Sequence, residues 1–286
     1  MYRLTRNKLG TRNVKWNIKL YSPDQTEATT IALNKASIEK VYLSNFFRFY
    51  TGGEDNLNVI STYSTSPAAT KADGIYIARI NRQSHSLINE NLIPLKGSNG
   101  GSEAEAFSLA SGILTTVLPM PNKGLRIVFE SRLETTATVY GVPVDRQFDI
   151  GNILTADIDS NYAVTAIHSI HKQQRTNSAN YKFTGFATLH QGDKSYFIYN
   201  ELPENLQRTP DKMKRVNSSK IDKTAIIYTL VNSNEYKIVR AIFIDKNKED
   251  GIDALLPNAQ LSERNTVYAL RRINDDNYLI KIFLTE

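Results

Sequence analysis

The sequence predicts an all-β protein of antiparallel four-stranded units, β-propeller-like with four to five blades, as one domain over residues 1–286. Three observations carry this expectation. Apolar residues recur with a period of two almost everywhere, turn-forming clusters punctuate the runs, and one strand pattern returns along the chain. A β-sandwich with long hairpins is the alternative architecture.

Near the start, Val14, Trp16, Ile18 and Leu20 alternate with polar neighbours, as a half-buried strand requires. Ile75 and Ile77 fall on one side of a strand and Tyr76, Ala78 and Ile80 on the other, so both faces are apolar. The run Ala225–Val231 is rich in β-branched and aromatic residues and reads as an interior strand, and Tyr278–Leu284 has the same character. Hairpin turns are expected at Gly52–Asn56, Pro121–Gly124, Gln191–Asp193 and Ser233–Asn234. Helix is scarce. Ser102–Ala110 could form two turns, with Ser102 as N-cap and Glu105 completing a capping box, and Leu202–Leu206 a shorter turn.

The recurring pattern is a polar turn leading into an apolar strand that ends near Asn, Asp or Ser. It begins at Asn13, Asp73, Asn152, Lys223 and Asn277. A second strand is expected after four of these, over Glu27–Leu33, Ser86–Leu95, Tyr162–His171 and Tyr236–Asp245. Further strands precede the later ones, such as Gly112–Leu118 and Leu125–Leu133. A single such sheet cannot bury both its faces, so the units must cover one another, and radial stacking does this economically. Pairing of an N-terminal strand with the last blade would close the ring; the alternative is a part of a longer propeller.

Composition narrows the chemistry. With no cysteine, disulfides, thiolate metal sites and cysteine nucleophiles are excluded. The net charge of +6 is scattered, so nucleic acid is not expected as a partner. No apolar run approaches the ~20 residues of a membrane helix. Met1–Arg6 does not read as a signal peptide, so an exported form is expected to carry its targeting segment outside this sequence.

The four histidines are His85, His168, His171 and His190, without metal-site spacing, and no metal or cofactor is expected. No G-x-S-x-G elbow occurs, and Gly97–Ser102 lacks the lysine of a phosphate loop. Asp73, Asp149, Asp157 and Glu130, placed near strand ends, are the candidate carboxylates for glycoside chemistry, with Asp157 and Asp159 suited to turns or edges. No catalytic residue is assigned.

Binding is the better-supported class. Phe46–Tyr50 and Tyr196–Tyr199 are dense in aromatics, and on a strand alternate residues can leave the core and offer stacking surface. Phe47 and Phe49 are therefore candidate contacts. Long loops are expected at Lys96–Ala110, Thr135–Ile150 and Pro203–Asp222. The basic stretch Gln207–Lys223 adds Arg208, Lys212, Lys214 and Arg215 as candidates for an acidic partner.

Several segments carry a resemblance. His171–Gln174, Gly192–Leu206, Leu256–Pro257, Thr62–Ser64 and Asp73–Tyr76 resemble uncharacterised Bacteroidetes cell-envelope proteins with a propeller-like repeat, over about residues 55–286. The resemblance implies a periplasmic or cell-surface location and supplies no catalytic or ligand-binding residue. The expected function is a non-enzymatic binding or scaffold module of the bacterial envelope, engaging a protein partner or glycan. The alternatives are a glycan hydrolase with axial carboxylates and a β-rich subunit of a viral or other large assembly.

Overall fold

Side-chain alternation becomes strands along the chain, and among the described residues no α-helix forms. The computed structural model describes residues 2–9, 13–21, 29–33, 41–44, 47–51, 55–66, 72–95, 112–140, 142–179, 181–217, 223–232, 237–244, 266–273 and 276–283. The protein is all-β, built of antiparallel multi-stranded sheets.

The first sheet is β1 (Tyr2–Leu9), β2 (Asn13–Leu20) and β3 (Thr29–Leu33), in that order. In the second, β4 (Tyr42–Leu43) and β5 (Arg48–Thr51) both pair β6 (Asn56–Ser64). β7 (Gly74–Asn81) and β8 (Ser86–Pro94) follow. The third has β9 (Gly112–Pro119), β10 (Leu125–Val139) and β11 (Val142–Ile158), then β12 (Val164–Ile170) and β13 (Gln174–Asn177), both paired to β11.

The fourth sheet runs β14 (Ala187–Gln191), β15 (Lys194–Glu201), β17 (Ala225–Asn232), β18 (Lys237–Ile244). Between β15 and β17 the chain returns to the third sheet, where β16 (Val216–Asn217) pairs β13 in parallel. β19 (Thr266–Ile273) and β20 (Asp276–Phe283) form the last sheet. The five segments that share the strand pattern lie in β2, β7, β11, β17 and β20, one in each sheet.

Packing divides the chain into two compact units, residues 1–129 with 156–167 and residues 130–155 with 168–286. In the first unit Trp16, Ile18, Ile31 and Leu33 pack with Leu57, Val59, Tyr63, Tyr76, Ala78 and Ile80. Ile75 and Ile77, on the other side of β7, are also fully buried, as the two-sided apolar pattern requires. Gly74 opens that strand because a Cβ there would lie 2.6 Å from Tyr63 Cε1. In the second unit Ala187, Leu189, Ile198, Ile226 and Ile282 form a core on one face of the fourth sheet.

The turns at Pro121–Lys123 and Gly192–Asp193 join the strands expected of them. Gly192 has φ +60°, which a type II′ hairpin needs at its first central residue. Leu202–Leu206 becomes a 3-10 turn over Pro203–Gln207. The expected loop Thr135–Ile150 is instead a hairpin, because Thr135, Thr136, Thr138, Val139, Val142 and Val144 favour extended backbone more than Gly141, Pro143 and Asp145 interrupt it. The turns at Gly52–Glu54 and Ser233–Asn234, the helix Ser102–Ala110 and the loop Lys96–Ala110 lie outside the described residues.

Candidate functional site

The aromatic candidates belong to the first unit. Phe47 packs on its core, with its ring 5.3 Å from that of Trp16, and Phe49 on β5 is 39% exposed. Between them Arg48 donates from Nε to the Thr115 carbonyl at 2.8 Å. The basic candidates belong to the second unit.

Arg208, Lys212, Lys214 and Arg215 stand on residues 203–217, which hold two 3-10 turns and β16. Pro203 and Pro210 open the two turns, where the missing N–H is not needed. Arg208 donates to the Lys212 carbonyl at 3.1 Å and to Glu204 at 3.3 Å. Lys214 Nζ reaches the same Glu204 at 2.9 Å, and Arg215 Nη1 lies 3.8 Å from Asp149. Lys212, Lys214 and Arg215 are exposed.

The backbone that carries these charges is fastened from beneath. Asn205, fully buried, donates from Nδ2 to Glu201 Oε1 and to the Lys214 carbonyl, both at 2.7 Å, and its Oδ1 accepts the Lys214 amide at 2.9 Å. One side chain thereby closes the loop on itself and ties it to the end of β15. Met213 and Val216 add buried apolar contacts. The Val216 amide donates to the Gln173 carbonyl at 2.9 Å, which starts the parallel pairing with β13.

Below lies a polar network whose central members, Lys172, Glu130, Gln174 and Asn200, are buried. Gln174 donates from Nε2 to the Asn200 carbonyl at 2.8 Å, and its Oε1 accepts the Gly185 amide at 3.1 Å. Asn200 in turn donates to the Phe183 carbonyl at 2.9 Å. Lys172 Nζ, with no exposed surface, donates to Glu130 Oε1 at 2.5 Å and lies 5.8 Å from the centre of the Phe186 ring. Burial pushes the Lys172 ammonium below its ordinary value, against the pull of Glu130. Arg132 reaches the other Glu130 oxygen at 3.2 Å and stacks over Tyr181.

Glu201 is the most perturbed carboxyl of the network. Burial raises it from 4.5 to about 7, although the Leu202 amide, Asn205, Arg240 and Lys172 all favour its charged form. Its Oε2 has no hydrogen bond, and Arg240 Nη2 lies 3.9 Å from it.

The carboxylates proposed for glycoside chemistry are otherwise engaged. Asp157 is not a turn or edge residue: it is buried in β11 and takes a bidentate grip from Arg126 at 2.7 and 2.8 Å. Glu130 is mid-strand, bound by Lys172 and Arg132. Asp149 takes two bonds from Arg175 at 2.7 and 2.8 Å, which holds its carboxyl below the usual range. Asp73 accepts the Thr65 amide and hydroxyl, each at 2.7 Å. Among the described residues no three His, Asp or Glu gather as a metal site. No described helix is long and apolar enough to cross a membrane.

Sequence reading found the basic residues and missed what fixes them. Asn205, Glu201 and Gln174 sit in strand or turn positions and Lys172 in the link between β12 and β13, all of which look like ordinary polar faces. Only the Glu201-Leu202-Pro203 step, a carboxylate at the end of an apolar strand just before a proline, hinted at a buried join.

No family model and no curated protein matches the chain. Among solved structures it is similar to a mutant of Synechocystis apocarotenoid oxygenase, with TM-score 0.39 and 10% identity over 94% of this chain and 55% of that one. An apocarotenoid oxygenase chimera gives TM-score 0.38 and 11% identity over 98% and 57%. A GH43 β-1,3-galactosidase bound to galactodeoxynojirimycin gives 0.31 and 7% over 99% and 87%. The chain thus spans little more than half the length of the two oxygenase chains. Backbone agreement at this level assigns no activity.

Proposed function

We propose that this protein is a non-enzymatic binding or scaffold module of the bacterial cell envelope, with residues 203–217 as its contact for an acidic protein surface or acidic glycan. The supporting observation is the fastening of that segment by Asn205. A loop with buried hydrogen-bonded joins presents its charges without the ordering cost that a slack loop meets on binding. Arg208, Lys212, Lys214 and Arg215 set four cations against Glu204 and Asp211, so the segment keeps a positive excess. Envelope location rests on the sequence resemblance alone.

A hydrolase would need a carboxylate pair flanking a substrate bond. Glu130, Asp149 and Asp157 instead hold Lys172, Arg175 and Arg126, which favours the binding reading. The test compares wild type with the R208E/K212E variant on immobilised envelope extract and on acidic and neutral polysaccharides. Retention of one stoichiometric acidic ligand by wild type, lost in the variant and in high salt, is expected. Equal retention by both proteins, or hydrolysis of a polysaccharide by wild type, overturns the proposal.

A further inference from the structure

Arg240 and Glu201 form an ion pair that is left open. Elsewhere in this chain a guanidinium grips a carboxylate side-on, with Nε on one oxygen and Nη2 on the other. Arg126 holds Asp157 in this way at 2.7 and 2.8 Å, and Arg175 holds Asp149 at 2.7 and 2.8 Å. Arg240 presents the same two nitrogens, Nε and Nη2, buried and without a hydrogen bond. Opposite them Glu201 Oε2 is also buried without a hydrogen bond, 3.9 Å from Nη2. Three complementary atoms stop short of one another, at a cost that the two gripped pairs avoid.

The other oxygen holds them apart. Glu201 Oε1 accepts the Leu202 amide at 2.9 Å and Asn205 Nδ2 at 2.7 Å, so the carboxyl is tied to the start of the basic segment. A side-on grip takes both oxygens, and turning Oε1 to Arg240 draws it away from Asn205. The arrangement suits a carboxyl with its proton on Oε2, because an O–H lacks the charge that draws a guanidinium in. The charged groups facing Glu201 are Arg240 on β18 and Lys172 in the link between β12 and β13, with Tyr199 beside it on β15. Lys172 is itself bound to Glu130, which Arg132 also reaches. Burial keeps the proton on Glu201 up to about pH 7 despite these cations.

We infer that Glu201 is a latch with two positions: protonated, it holds Asn205 and fastens segment 203–217; ionised, it turns to the Arg240 fork and lets the segment loosen. The held position binds a proton that the released position has lost. Raising the pH therefore favours release, by about tenfold per pH unit, until the held carboxyl also ionises near 7, and above that the ratio is level. Retention of an acidic ligand by the segment follows the same course. That consequence rests on the proposed function, whereas the latch itself does not.

Amide hydrogen exchange at Lys214, expressed as protection relative to the intrinsic rate, reads the latch between about pH 5 and about pH 9, because that amide donates to Asn205 Oδ1 at 2.9 Å. In the wild type, protection should fall about tenfold per pH unit and level off above about 7, while β7 stays unchanged. E201Q keeps an acceptor for Leu202 and Asn205 but cannot ionise, and should stay protected throughout. R240M leaves the ionised carboxyl nothing to turn to, and above about pH 7 should be better protected than the wild type. Wild-type protection that does not change with pH, the same fall in E201Q, or R240M no better protected than the wild type overturns the inference. The wild-type profile and R240M decide it even where E201Q does not fold.

Discussion

Each unit buries a cation, Arg126 on β10 in the first and Lys172 in the link between β12 and β13 in the second, and the two do so differently. In the first, Arg126 and Asp157 face each other across two hydrogen bonds, both almost wholly buried. In the second, Lys172 offers a point charge to Glu130, and the surrounding amides and carboxyls continue through Gln174, Asn200 and Glu201 to Asn205 and the surface segment. A planar guanidinium satisfies a carboxylate by itself, whereas an ammonium leaves acceptors and donors for neighbours to complete. The guanidinium pair links β10 to β11. The open network transmits order to a loop.

Breaking the Arg126–Asp157 pair should cost most. Arg126→Met leaves Asp157 buried without its cation and should lower stability by about 3–5 kcal/mol in urea unfolding, whereas adding Asp157→Leu should restore much of the loss. Lys172→Met should cost less, because Arg132 still reaches Glu130.

The open network should also show a pH signature. The folded value of Glu201, about 7, lies above its ordinary 4.5, so the folded state binds the extra proton between those values. Stability from this group is complete below about pH 4.5 and falls as pH rises to about 7, by about 3 kcal/mol. Glu201→Gln should flatten that slope in unfolding measured across the window; an unchanged slope would place the titration elsewhere.

The all-β class was legible because alternation is local: β2, β7 and β17 can be read from Trp16, Tyr76 or Ile227 and their immediate neighbours. The hairpin over Thr135–Ile150 was misread because Gly141, Pro143 and Asp145 are turn formers whose weight is settled by strand pairing, not by their neighbours in sequence. The buried ions were illegible for a stronger reason. Arg126 finds Asp157 31 residues away and Lys172 finds Glu130 42 residues away, and nothing local distinguishes such residues from a solvated face. The basic candidates were found from composition, whereas the side chain that orders them, Asn205, is one of many asparagines in polar surroundings.

Smaller effects sharpen the contrast. Asn205→Ala removes three hydrogen bonds within and beneath the segment and should cost about 1–3 kcal/mol, with new protease cleavage between Gln207 and Arg215. Lys212→Ala, at an exposed position, should change stability by no more than about 0.5 kcal/mol while weakening retention of the acidic ligand.

The measurement that bears most directly on the ordered basic segment is amide hydrogen exchange at Lys214. Its N–H donates to Asn205 Oδ1 at 2.9 Å, so it should exchange slowly in the wild type and quickly in Asn205→Ala, while β7 and β15 stay protected in both. Rapid exchange at Lys214 in the wild type would mean that the segment is not held, and the account built on its fastening would fail.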